Sequence, residues 1–249
     1  MGDEQAIAVN RASGMVSSDD QEQRESPDPQ DTRQPVGVAI LAKAPIAGWA
    51  KTRLIPLLGA EGAAALQRWL LRRTVANAVA AATGPVTLWC APEVDHADFA
   101  CCAQHFAVTL RRQPAGDLGA RMLAAVIESP TPAGTLLIGT DCPGLTPTVL
   151  HRAAEVLRDA EAVLVPAEDG GYALLGLRRT VPALFVGIEW GSAQVLTQTR
   201  QRLGKLHWRW HELATLWDID RPADFQRLQR EFPEVAARGE AGTSSWPDV

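Results

Sequence analysis

Short apolar runs alternate with longer amphipathic stretches from Val36 to Arg230, and that alternation predicts a wound α/β sheet in one domain. Val36–Ala42, Val86–Cys90, Ala107–Leu110, Leu136–Ile138, Ala162–Pro166, Ala173–Leu177 and Leu206–Trp210 read as strands. Helices are expected over Glu61–Ala82, Asp95–His105, Ala120–Glu128, from Pro147 onward, over Ala193–Leu203 and over Ala223–Arg230. In the first, Leu71, Val75, Ala78, Val79 and Ala82 follow the i, i+4, i+7, i+8 pattern of one buried face. Thr146 is placed to cap the fourth, with Pro147 at its first position and Leu150, Ala153, Ala154 and Leu157 as its stripe. Ser192 is placed to cap the fifth. The two strands hinged on Gly170-Gly171 suggest a small antiparallel element late in an otherwise parallel sheet.

The ends break the pattern. Residues 1–34 are rich in Ser, Asp, Glu, Gln and Pro and almost without large apolar side chains. Such a segment cannot bury enough surface to offset its ordering entropy, so it reads as a disordered acidic extension, dispensable or the product of an early start site rather than a regulatory tail. Residues 35–232 read as the domain and residues 233–249 as a polar, frayed tail. The extension carries eight acids against three arginines, which is the whole net charge of −5 of the 249 residues. The remainder is neutral, so nothing suggests a nucleic-acid surface. Cys90, Cys101, Cys102 and Cys142 show no metal spacing and read as reduced, structural thiols. No run is apolar and long enough to span a membrane, and the acidic N-terminus is no secretory signal, so a cytoplasmic protein is expected. Oligomeric state is left open.

The chemistry gathers at strand ends. The run Leu136-Leu137-Ile138 stops at Gly139 and delivers Asp141 ahead of Pro143. An open α/β sheet holds its ligands outside the carboxyl ends of its strands. Asp141 therefore sits where a metal or nucleotide would sit, and Mg²⁺ or Mn²⁺ would share carboxylate and phosphate oxygens there. After the first strand, Lys43, Lys51 and Arg53 share a loop with Pro45 and Gly48, a cationic strand-to-helix connection suited to a polyphosphate. Its spacing is neither the P-loop nor the dinucleotide fingerprint. Glu168-Asp169-Gly170-Gly171-Tyr172 is an acidic turn that is either a plain hairpin or an acceptor site, with Asp169 or Glu168 taking a proton or orienting the acceptor. Asp218 and Asp220 lie on one side of an extended segment, able to join Asp141 at a cation, while Asp220 can also cap the helix after Pro222. Asp117 and Arg121 lie four apart at a helix start; they pair on the surface, or Arg121 points at a phosphate. Among eight tryptophans, Trp190 beside Gly191 is the candidate for an acceptor pocket.

Taken together, Ala42-Lys43-Ala44-Pro45, Gly48, Lys51-Thr52-Arg53-Leu54, Asp117-Leu118-Gly119, Arg121, Gly139-Thr140-Asp141-Cys142-Pro143, Pro166 through Tyr172, Trp190-Gly191 and Asp218-Ile219-Asp220 resemble a family of GT-A-fold, glycosyltransferase-like proteins labelled nucleotide-diphospho-sugar transferases. The match runs in order over roughly residues 36–230. A more distant likeness reaches the 2-phospholactate guanylyltransferases and molybdenum-cofactor nucleotidyltransferases. The resemblance implies a Rossmann-like sheet with helices on both faces, a nucleotide or nucleotide-sugar substrate, a small-molecule acceptor, and Mg²⁺ or Mn²⁺. It implies nucleotide contacts from Ala42, Lys43, Gly48, Lys51, Arg53, Asp117 and Arg121, metal ligation by Asp141 and Asp220, acceptor contacts from Glu168, Gly170, Gly171, Tyr172 and Trp190, and catalysis by Asp169, Lys51 and Arg53. The chain departs from the pattern at Arg221 and at Ala120, and the Asp-x-Asp of many glycosyltransferases is reduced to a single Asp141 followed by Cys142. Nucleotidyl transfer and non-catalytic nucleotide binding are the rival readings.

Overall fold

The computed structural model describes residues 34–233 and 235. The seven strands are β1 (Gly37–Lys43), β2 (Val86–Ala91), β3 (Val108–Arg112), β4 (Thr135–Ile138), β5 (Ala162–Pro166), β6 (Tyr172–Leu177) and β7 (Trp210–Glu212). The helices are α1 (Ile55–Ala80), α2 (Ala97–His105), α3 (Leu118–Glu128), α4 (Pro147–Asp159), α5 (Val195–Lys205) and α6 (Pro222–Glu231). The strands form one sheet in the order β3-β2-β1-β4-β6-β5-β7. β1 pairs in parallel with β2 and β4, β2 with β3, and β5 with β7. Only β6 is reversed, antiparallel to both β4 and β5. The expected parallel sheet with a late antiparallel element is therefore the observed fold.

Side chains alternate across each strand, so one sheet makes two cores. Val38, Ile40 and Ala42 of β1 face a layer with Leu71 and Val75 of α1, Phe99 of α2 and Leu150 of α4. Ala39 of β1 faces the other way, with Leu137, Leu175, Met122 and Ala125 of α3 and Leu203 of α5. Helices thus cover both faces. A third cluster locks Leu66, Trp69 and Leu70 of α1 against Trp217, Ile219, Phe225 and Leu228. That cluster presses the segment before α6 onto the start of α1, and the site is built at that junction.

Some boundaries differ from the sequence reading. α1 begins at Ile55 rather than Glu61, with Pro56 in its first turn and a break at Gly59 (φ 69°, ψ 168°). Ala82, expected on its buried face, is exposed with φ 50°. The strand expected over Leu206–Trp210 lies instead at Trp210–Glu212: Leu206 closes α5, His207 turns with φ 53°, and Trp208 enters the second core from irregular backbone. Ser192 does not cap α5, whose first residue is Val195; its hydroxyl accepts from Gln194 N–H and donates to the Glu189 carbonyl. Capping before α6 falls to Asp224, which accepts from the backbone N–H groups of Asp220 and Arg221, so Asp220 is left for other work. The expected N-terminal extension lies outside the described residues except Gln34. Of the expected polar tail, Pro233 and Val235 are described, and Val235 is buried in the third cluster.

Candidate active site

β1, β2 and β3 step outward in one direction, while β4 lies on the other side of β1. The crevice outside the ends of β1 and β4 is therefore the switch point at which open sheets bind ligands. A cavity of about 600 Å³ lies there. The β1–α1 connection forms one wall. Trp49 and Ala50 donate to the Ile46 carbonyl, Gly48 takes φ 83°, and Lys51 itself is left-handed (φ 49°, ψ 44°). A lysine in that region is uncommon and needs its surroundings to hold it. Buried Leu54, three residues on, anchors the loop in the third cluster.

The opposite wall is acidic. Ile219 N–H donates to the Asp141 carbonyl at 2.8 Å, which stitches the Asp218–Asp220 segment to the end of β4. Lys51 Nζ spans the two: it donates to Asp141 Oδ1 at 2.5 Å and to the Ile219 carbonyl at 2.6 Å. Its side chain is only 5% exposed, against 56% for Asp141. Arg53 Nη1 pairs with Asp220 Oδ2. The two cations expected at phosphates thus rest on the two acids expected at a metal.

Asp218 faces the same cavity. Burial, then the nearby Asp169 and Asp141 charges, push its carboxyl up to about 6, while Lys51 pulls the other way. The folded chain therefore binds this proton more tightly than the unfolded one between about pH 4 and 6, and stability falls as pH rises through that window. Two units correspond to about 3 kcal/mol, of which solvent screening leaves about 1 kcal/mol. We expect Asp218→Asn to match the parent at pH 4 and to melt a few degrees higher at pH 7. Equal melting curves at pH 7 would show that neither burial nor like charge penalises the ionised carboxylate there.

Of the expected site residues, the cavity brings together Ala42, Lys43, Lys51, Arg53, Arg121, Asp141, Asp169, Gly171, Tyr172, Trp190 and Asp220. Gly48, Asp117, Glu168 and Gly170 do not line it. Asp117 caps α3, accepting from Ala120 N–H at 2.8 Å, rather than pairing with Arg121, whose Nε donates to the Gly116 carbonyl. Glu168 turns outward to Arg227, 3.0 Å from each carboxylate oxygen. Gly170 serves the chain itself: with φ 89°, a Cβ there would lie 2.4 Å from the Ala193 carbonyl oxygen. Asp169 is exposed; its Oδ1 accepts from Gly171 N–H at 2.8 Å, and no partner among the described residues meets its second oxygen.

Of the lining residues that escaped the sequence reading, three shape the site most visibly. Gln67, buried on α1, donates to Thr140 Oγ1 and to the Lys43 carbonyl. Gln113 donates to the Ala42 and Trp89 carbonyls, which fixes its amide orientation, because a flip would set its oxygen against two acceptors. Trp49, 75% exposed, stands at the rim. Cys142 lines the cavity but is buried, with its thiol pushed up to about 12 by desolvation, so it is a neutral packing group. The donors present are hard carboxylate oxygens. Among the described residues no group of three or more His, Cys, Asp or Glu forms a metal cage. Carboxylate donors such as Asp141 and Asp220 suit a Mg²⁺-like ion, which takes one or two of them and completes its shell with water and phosphate.

Residues 74–192 match a family model, DUF2064, described as an uncharacterized protein conserved in bacteria. A protein provisionally described as a nucleotide-diphospho-sugar transferase, from Desulfovibrio desulfuricans G20, is 26% identical and superposes with a TM-score of 0.70 over 82% of this chain and 90% of its own. The resemblance drawn from the motifs is thus borne out in three dimensions. Two further structures share the fold: a 4-diphosphocytidyl-2C-methyl-D-erythritol synthase from Anaerococcus prevotii (10% identity, TM-score 0.56, 80% and 96% covered) and a nucleotidyl transferase from Methanothermobacter thermautotroptrophicus (15%, 0.53, 80% and 98%). No curated protein matches the chain in sequence. No helix among the described residues is long and apolar enough to cross a membrane.

Proposed function

We propose that this chain is a nucleotide-dependent transferase, and within that class a glycosyltransferase that uses a nucleotide-diphospho-sugar and Mg²⁺ or Mn²⁺. One observation carries the reading. Lys51 and Arg53 meet Asp141 and Asp220 across one cavity at the sheet's switch point, so groups suited to phosphate and to a divalent cation stand within a few ångströms of each other. Asp141 and Asp220 would hold the cation; when bound, it neutralises charge gathering on the leaving diphosphate. Lys51 and Arg53 would grip the phosphate oxygens. The acceptor oxygen forms its bond to the sugar carbon as the diphosphate oxygen departs, and its proton passes to the open oxygen of Asp169. Tyr172 and Trp190 would bound the acceptor side of the cavity.

Nucleotidyl transfer is the second reading, favoured by one detail. The Asp-x-Asp of many glycosyltransferases is reduced here to Asp141, with Gly139 and Pro143 two residues to either side, so the strand end supplies one carboxylate. In that case a substrate phosphate or carboxylate attacks the α-phosphate of an NTP and pyrophosphate leaves. Incubation with a panel of nucleotide sugars or NTPs, with Mn²⁺ and mixed small acceptors, separates the two. The expected product is free nucleoside diphosphate from a sugar donor. Pyrophosphate from an NTP would replace the first reading with the second. Binding with neither product would leave a nucleotide-binding protein without catalysis.

A further inference from the structure

Asp141 and Asp220 each hold a cation supplied by the same turn, Lys51 and Arg53. Lys51 is enclosed, with two short contacts and a left-handed backbone that aims it between β4 and the Asp218–Asp220 segment. A divalent ion ligated by Asp141 and Asp220 would share the carboxylates that Lys51 and Arg53 hold through Asp141 Oδ1 and Asp220 Oδ2, and cations crowded on one carboxylate repel each other. Two ammonium-type charges and one divalent charge are equivalent in sum, so the exchange keeps the acids neutralised on either side. The displaced Lys51 and Arg53 need new anions, and a bare metal ion brings none.

Resting on the diphosphate reading above, we infer that the site takes a preformed complex of divalent cation and polyphosphate as its ligand and resists the free ion. Lys51 and Arg53 act as internal competitors for the metal's carboxylates until phosphate oxygens draw them away. Both lie on the short segment Lys51–Leu54, so one ligand can draw both off together. The carboxylates then close on the metal that arrived with the phosphate. Cation and polyphosphate therefore reinforce each other's binding by the same factor.

The test uses Mn²⁺ alone and Mn²⁺–pyrophosphate, titrated into the full chain by calorimetry and followed by the electron-spin signal of unbound Mn²⁺. The wild type should bind Mn²⁺ alone weakly and Mn²⁺–pyrophosphate well. Lys51→Met should bind Mn²⁺ alone roughly tenfold more tightly, the worth of one charged hydrogen bond, and Mn²⁺–pyrophosphate more weakly. Arg53→Met should shift the same way, and because Arg53 is largely exposed this variant does not put folding at risk. Lys205→Met is the control: Lys205 is exposed at the end of α5 and does not line the cavity, so Mn²⁺ affinity should stay put. If Lys51→Met and Arg53→Met bind Mn²⁺ no more tightly than Lys205→Met while the wild type takes Mn²⁺–pyrophosphate, the competition is refuted and the diphosphate reading survives. If the wild type takes up no Mn²⁺–pyrophosphate, both fall.

Discussion

Asp141→Ala should abolish the cation-dependent part of nucleotide binding and lower transfer by on the order of a thousandfold, the range seen when one charge-stabilising group is removed from a transition state. The same change leaves the enclosed Lys51 ammonium with the Ile219 carbonyl as its acceptor. Truncating one member of a buried pair is costly, but Asp141 is more than half exposed, which tempers the loss to about 1–2 kcal/mol. The unliganded variant should thus melt several degrees lower and show no further rise when Mn²⁺ is added to nucleotide. Thermal melts with and without Mn²⁺ read both effects. An alanine variant that kept the full Mn²⁺-dependent rise would remove Asp141 from the list of ligands.

Gly119→Ala should be a damaging small change beside the cavity. Its Cβ would lie 2.5 Å from Trp190 Nε1 and 2.6 Å from the Phe185 carbonyl oxygen. The indole could swing, but the carbonyl belongs to backbone packed beneath α3 and cannot. Overpacking of this kind costs about 2–3 kcal/mol, a melting shift of roughly 8 °C for a chain of this size. Because Trp190 would be driven toward the cavity, its fluorescence should change in the folded variant. Gly204→Ala is the comparison: it sits in α5 with no neighbour within 4 Å of the added carbon, and should be neutral or slightly stabilising. Equal melting points for the two variants would refute the close-approach argument.

Much of this was legible in the residue pattern because it is local. The apolar run ending in Gly139 announced both a buried strand and the acid after it, and β4 with Asp141 at the cavity is what the chain forms. The reversed strand was readable from the Gly170-Gly171 hinge. What failed was non-local. Glu168 looked like part of an acceptor site, yet its partner Arg227 stands 59 residues on and turns it outward. The direct pairing of Lys51 with Asp141, 90 residues apart, could not be read from spacing: the motifs place both at one bound diphosphate but do not predict that they contact each other. The strand expected at Leu206–Trp210 was misplaced because Trp208 is apolar for the core's sake, without strand geometry. Gln67 did leave a trace: it stands four residues before Leu71, so a polar side chain occupies the buried register of α1, and its amide reaches Thr140 and the end of β1.

The reversed strand carries a last consequence. Because β6 turns back directly from β5, the five residues Ala167–Gly171 are carried to the same edge as Asp141, yet they are covalently separate from the loop bearing Lys51 and Arg53. The region proposed to grip the donor and the region proposed to meet the acceptor are thus encoded in different places. A lineage could exchange that one short turn and retarget what it modifies while leaving its grip on the activated substrate untouched, so close cousins of this chain can share a donor and differ in product.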